Sequence, residues 1–237
     1  MKILAVDTTA SPVSVAILTD GLLTGEIFLN TKTTHSQTLM PLLETILKTT
    51  NTNINDIDIF AVNAGPGSFT GVRIGIASIK GISMPLGKKC VSVSTLESMA
   101  YCLPYNDGIV CAVMDARCNQ VYNALFSLDN GKVNRLTEDR ALSVDDLGKE
   151  ISHLDKNVYL VGDGAELCYK VYENKLENVV LVPANLRYQH AYGTAKAAEK
   201  LIEENNICTS AQLMPIYLRL PQAERELNER LKATSGK

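Results

Sequence analysis

The sequence predicts an internally duplicated α/β protein with mixed sheets, and three observations carry that reading. Strand-like runs open each half before any strong helical pattern. Helix and strand periods then alternate to the end of each half. An aspartate, Asp7 or Asp115, follows the first strand of each. A hairpin meander followed by αβ units puts antiparallel and parallel pairings into one sheet.

In the first half, Lys2–Val6 is continuously apolar after its lysine and reads as a buried strand. Val13–Leu18 follows the turn-rich segment Thr8–Pro12, and Asp20-Gly21 signals a hairpin into Leu22–Leu29. The period then changes. Leu39, Leu42, Leu43, Ile46 and Leu47 recur at helical spacing, giving one helix over His35–Thr49. Ile57–Val62 predicts a buried strand ending in the turn Asn63–Gly67, and Ser68–Met84 a second helix stopped before Pro85. Val91–Val93 and Thr95–Cys102 complete the half as a short strand and a short helix.

The second half repeats that order. Strands are expected at Gly108–Met114, Gln120–Leu128 and Lys132–Leu136, and a helix near Val144–His153. Val158–Val161, a helix after Gly162-Asp163-Gly164, Val179–Val182 and the helix Ala191–Glu204 follow. The expected division is 1–103, 104–212 and a tail, 213–237, whose densely charged Ala223–Lys232 reads as a solvated helix.

Composition fits this picture. The 237 residues suffice for two modest domains, and 46% are hydrophobic. A formal charge of −3 gives no footprint of an autonomous nucleic-acid binder, so RNA contact needs a local patch or a basic partner. No apolar stretch approaches the roughly 20 residues of a membrane span. The opening MKILAVD breaks at Asp7 without a cleavage pattern, so a strand is expected there and a cytoplasmic location for the chain. The six cysteines form no CxxC pair, and no disulfide framework is expected.

The motifs leave two readings open. Gly65-Pro66-Gly67-Ser68-Phe69-Thr70-Gly71 is a strand–turn–helix start but fails both the Walker and the dinucleotide patterns at Thr70. It either holds an anion at a helix N-terminus or is a tight turn capped by Ser68. Gly71, Gly75 and Ser78 fall three or four residues apart on the following helix, where each glycine costs about 1 kcal/mol relative to alanine. Close approach by another backbone offsets that cost, from either the chain's own sheet or another subunit. Val72, Ile76, Ile79 and Ile82 supply a second apolar face, which favours an oligomer. His35, His153 and His190 lack metal-ligand spacing, and there is no nucleophile elbow. Asp7, Asp115 and Asp163 end or follow strands, where α/β sites gather ligands, and turn roles explain them equally well.

These segments also carry a resemblance. Ile3–Thr9, His35–Pro41, Gly65–Gly75, Met114–Arg117 with Gln120–Tyr122, and Pro215–Arg219 occur in the order found in the TsaB (YeaZ) family, and the chain resembles it over nearly its whole length. The resemblance implies the actin-like ATPase, sugar kinase and Hsp70 fold, built from two ribonuclease-H-like halves. It implies a dimerisation subunit that partners a TsaD-like catalytic subunit and a TsaE-like ATPase. That assembly transfers a threonylcarbamoyl group to N6 of adenosine 37 in tRNAs reading codons that begin with A.

Where catalytic relatives have an H-x-x-x-H metal motif, this chain reads Thr95-Leu96-Glu97-Ser98-Met99, a poor metal set. Asp7-Thr8-Thr9 and Asp115-Ala116-Arg117 also lack the glycine of the actin-like phosphate loop. No catalytic, cofactor or metal residue is therefore expected, and ATP and metal are assigned to the partner subunits. The expected partner interface is His35, Leu39, Leu42, Ser68, Gly71, Val72, Gly75, Ser78, Ile79 and Ile82, with homodimerisation when the chain is isolated and tRNA met through the complex. The rival readings are an ATP-dependent small-molecule kinase of the same fold and a metalloprotease.

Overall fold

The computed structural model describes residues 1–31, 33–103 and 107–219. Strands β1 (Lys2–Asp7), β2 (Val13–Thr19) and β3 (Leu22–Leu29) form an antiparallel meander that sets Asp7 opposite Ser14. Asp20 and Gly21 make the β2–β3 turn at positive φ, 50° and 79°, the conformation this residue pair favours in tight hairpins. Helix α1 (His35–Thr49) leads to β4 (Ile59–Gly65), α2 (Phe69–Ser83), β5 (Lys89–Ser94) and α3 (Thr95–Ala100).

The second set repeats the order with small additions. It comprises β6 (Gly108–Asp115), β7 (Gln120–Asp129), β8 (Lys132–Arg135), β9 (Arg140–Ser143), α4 (Val144–Ile151), β10 (Val158–Val161), α5 (Ala165–Tyr172) and β11 (Val179–Leu181). Helices α6 (Ala184–Arg187) and α7 (Ala191–Glu203) and the short β12 (Cys208–Thr209) follow. The first sheet runs β12-β5-β4-β1-β2-β3 and the second β11-β10-β6-β7-β8, with β9 beside β7. In each, the first strand pairs antiparallel with the second and parallel with the strand entered after the first long helix. The duplication read from the sequence is thus a repeat of sheet order.

Four apolar clusters hold the layers together. Helices α1 and α2 cover one face of the first sheet through Leu39, Leu43, Ile46, Val72, Ile76 and Ile79. Helices α4 and α5 cover the second through Leu147, Ile151 and Cys168. Each fully buried aliphatic side chain of this size contributes about 2 kcal/mol. Between the sheets, Leu96, Met99 and Ala100 of α3 pack on Val110, Ala112 and Phe126 of the second sheet. Ala191, Ala195 and Ala198 of α7 pack on Ile3, Ala5 and Ala61 of the first.

This exchange corrects the expected division. Helix α7 and β12 were assigned to the 104–212 unit, yet both belong to the first sheet, and Leu213 is buried in the first half's core. The alanine face of α7 is narrow enough to lie close to the small residues of β1 and β4. Gly193 lets α7 cross α3, where a side chain would strike the Ser98 carbonyl. The charged helix expected at Ala223–Lys232 lies outside the described residues, as does part of the segment Leu103–Asp107 chosen as the boundary. All six thiols are free, and no helix of the described residues is long and apolar enough to cross a membrane.

Candidate functional site

Two places gather the residues singled out above: a cleft between the halves and the outward face of α1 and α2. The cleft has a volume of about 540 Å³. Its first-half wall is the β1–β2 turn and the start of α2, including Thr9, Gly67 and Thr70. Its second-half wall carries Asp115, Arg117 and Asp163, and Tyr217 and Arg219 reach its rim.

The first-half wall is closed by its own hydrogen bonds. The Asp7 carboxylate is buried and accepts from Thr9 N (2.7 Å), Thr9 Oγ1 (2.8 Å) and Asn63 Nδ2. Burial pushes its pKa above the ordinary carboxyl value, against the lowering effect of those bonds. Thr8 Oγ1 donates to the Gly71 carbonyl at 2.7 Å, and Ser68 N donates to the Thr9 carbonyl at 2.7 Å. Ser68 Oγ in turn accepts from Gly71 N at 3.3 Å, which bears out the capped-turn reading of that motif.

The second-half wall is built alike but faces the cleft. Asp115 is exposed, and its Oδ1 accepts from Arg117 N at 2.7 Å. This side-chain-to-backbone bond is the turn role expected for Asp115. Arg117, Cys118 and Asn119 all take positive φ, between 53° and 63°. Asp163 receives Asp115 N at 3.4 Å, and burial together with the nearby Asp115 charge pushes its pKa up to about 6.

The other sequence candidates are separate. His35 Nε2 lies 2.7 Å from the Ala10 carbonyl, fixing the start of α1 to the β1–β2 turn. His190 stacks on Phe28 and faces Glu26 at 3.3 Å, which raises its pKa against the effect of burial. His153 is exposed just beyond the end of α4. Thr95 and Met99, at the positions of the metal motif of catalytic relatives, are fully buried. Glu97 between them pairs with Arg135 at 2.9 Å and Lys200 at 3.2 Å. Among the described residues no group of three potential ligands is placed to hold a metal ion.

The interface residues divide in a way the spacing did not foretell. Leu39, Leu42, Val72 and Ile79 are buried in the first half's own core. Gly71 and Gly75 face inward too: a Cβ on Gly71 would strike the Thr8 carbonyl, and one on Gly75 would lie 2.5 Å from Thr8 Oγ1. The close contact they serve is with Thr8 in the β1–β2 turn and, for Gly75, with Val62 of β4. This corrects their assignment as the contact with a partner. His35 is half-buried, while Ser68 is exposed and Ser78 and Ile82 partly so. The outward stripe of α2 is Thr70, Arg73, Ala77, Gly81 and Met84, and Met40 is exposed on α1. Their spacing of three, four, four and three made the stripe visible, but it was passed over for the more apolar faces.

Comparisons with known proteins agree on a family. A family model described as "TsaD: tRNA N6-adenosine threonylcarbamoyltransferase" matches residues 26–227. The chain is 30% identical to the tRNA threonylcarbamoyladenosine biosynthesis protein TsaB of Bacillus subtilis, over 94% of this chain and 96% of that protein. It is also 30% identical to the protein of that name from Escherichia coli, over 96% and 98%. In fold it is similar to YeaZ from Pseudomonas aeruginosa, with a TM-score of 0.76 at 24% identity over 92% of this chain and 99% of that one.

Proposed function

Because this chain belongs to the TsaB (YeaZ) family, we propose that it is a non-catalytic subunit of tRNA threonylcarbamoyladenosine biosynthesis. On this reading it docks a TsaD-like catalytic subunit, with which a TsaE-like ATPase works, and meets tRNA through the complex. ATP and metal chemistry belong to those partners.

The observation that carries the non-catalytic part is the closed first-half turn. In the actin-like fold the first turn offers backbone to a phosphate. Here the Thr9 N–H that could face a phosphate donates instead to the buried Asp7 carboxylate, and the turn is tied to the start of α2 through Thr8 Oγ1–Gly71 O and Ser68 N–Thr9 O. Reconstitution tests the role. Transfer RNA, threonine, bicarbonate and ATP are combined with the upstream synthase and the two partners, with and without this chain. Modified adenosine that appears only with the chain supports the subunit reading; equal modification without it ends that reading.

The docking face follows from exposure. The outward stripe of α2 is small at Ala77 and Gly81, and a Cβ on Gly81 meets nothing within 4 Å. A partner helix can approach there, with Ser78 and Ile82 at the margin. Arginine at Ala77 or Gly81 is expected to abolish copurification with the partner while the melting temperature is kept. Copurification at the wild-type level would remove α2 from the interface. In the isolated chain the same patch meets its own copy, since an isologous contact reuses one surface. Sedimentation then shows a dimer that those substitutions dissociate. The kinase reading keeps one point in its favour, a cleft of about 540 Å³, which is within the range of small-molecule sites. Titration of the isolated chain with ATP decides it.

A further inference from the structure

The stretch from Leu213 to Arg219 is neither helix nor strand, yet named contacts hold it on both sides of the cleft. Leu213 is buried in the first half's core. Ile216 N donates to the Ala64 carbonyl at 2.8 Å, and the Ile216 carbonyl lies where any side chain on Gly65 would have to be. Tyr217 stacks on Phe69 with ring centroids 5.1 Å apart, and its hydroxyl accepts from Arg73 Nε at 2.7 Å. The Arg73 guanidinium lies 3.8 Å from the centre of the Phe69 ring. Two residues later the chain has crossed over, and Arg219 Nη1 donates to the Ala116 carbonyl of the second half at 3.2 Å.

Among the described residues, contacts at two places therefore join the halves. At the base, α3 is packed into the second sheet and Glu97 reaches Arg135. The mouth has a smaller core, in which Ala10 of the first turn joins the cluster of Met114 and Tyr122, and most of its exposed lining is polar or charged. Domains joined through a limited interface move relative to each other by default, and a base fixed by α3 leaves opening of the mouth as the soft motion. The acceptor, Ala116, begins the β6–β7 turn whose next three residues all have positive φ.

We propose that Leu213–Arg219 is a clasp that holds the mouth of the cleft at a set width, with the Phe69–Arg73–Tyr217 stack as its anchor and Arg219 as its hook. The anchor stands on α2, and Arg73 belongs to its outward stripe. A protein bound to that stripe touches the anchor, so docking and cleft width are linked. That link rests on the docking face proposed above; the clasp itself does not.

The test uses the isolated full chain. One spin label goes on Cys118, which is exposed in the second half, and another on Glu44→Cys in α1, with Cys208→Ser to limit labelling. Double electron–electron resonance reads the distance between halves. The parent chain is expected to give one narrow distribution. Tyr217→Ala and Arg219→Ala each give one about twice as broad and shifted to longer distance, as expected of a freed inter-domain motion. Arg219→Lys, which keeps a donor, stays near the parent. If Tyr217→Ala loses the fold by circular dichroism, Arg219→Ala decides alone. Parent-like distributions in the folded alanine variants would overturn the clasp.

Discussion

The two halves end their first strands with the same device and use it differently. Asp7 bonds Thr9 N and Asp115 bonds Arg117 N, each two residues ahead. A glycine turn from the next parallel strand lies over each: Gly67 against Thr9 in the first half, Gly162 and Gly164 against Val113–Asp115 in the second. In the first half the carboxylate is buried and the turn is bonded to α2. In the second the carboxylate faces the cleft, and Asp163 stands opposite it, where the first half has Pro66. One copy of the motif has become a structural joint while the other keeps open, ionisable groups.

The sharpest way to break that comparison is to delete both carboxyls. Asp7→Ala leaves Thr9 N, Thr9 Oγ1 and Asn63 Nδ2 without their buried acceptor and is expected to cost about 3–4 kcal/mol in urea unfolding. Asp115→Ala, on an exposed group, costs less than about 1 kcal/mol. Equal losses would mean that the two turns are equally structural. Next in size is Gly75→Leu. Its side chain meets Thr8 Oγ1 and Val62 Cγ2, and such overpacking costs about 3 kcal/mol. A variant of undiminished stability would show that α2 does not rest on the β1–β2 turn and β4 as described.

How legible these features were depended on whether one local pattern decided them. The helix His35–Thr49 was read to the residue because a single apolar stripe, Leu39 to Ile46, defines it. Strand β9 was not read, because Arg140–Ser143 has no alternation and owes its state to pairing with β7. The placement of α7 was hidden too, since its alanine face fits either sheet. On α2 the spacing found the small residues but not their direction. Gly71 and Gly75 lie about 100° from Val72 and Ile76, and a helix that buries a wide arc holds both inside. The cleft was legible only as parts: Asp7, Asp115 and Asp163 stood out, whereas Tyr217 and Arg219 meet it through a crossing that no local pattern encodes.

The carboxyl that Asp115 meets in the second half also makes a prediction about pH. Asp163 is raised from 3.8 to about 6 in the folded chain, chiefly by burial. Below pH 4 the folded and unfolded states both hold the proton, and no penalty applies. As pH rises from 4 to 6 the unfolded chain gives up its proton first, so stability falls. Above 6 the deficit is constant, about 2–3 kcal/mol. Asp163→Asn keeps an acceptor for Asp115 N without the charge. It is expected to match the parent near pH 3.5 and to exceed it by about 2 kcal/mol at pH 8. Parallel curves would place Asp163 with ordinary solvated carboxyls and blur the contrast between the two turns.

The smallest effect separates the two uses of glycine within α2. Gly75 is required by the chain's own sheet, whereas Gly81 is exposed and has nothing within 4 Å of a Cβ position. By helix propensity alone Gly81→Ala is expected to stabilise the isolated chain by about 0.5–1 kcal/mol in thermal or urea unfolding. A methyl group there also fills space that a partner helix would use, so the same variant is expected to bind its partner more weakly. Gain in the monomer with loss in the complex assigns the glycine to the interface. Gain without loss means that a partner does not approach that turn of α2. A loss of monomer stability would mean that Gly81, like Gly75, serves the fold.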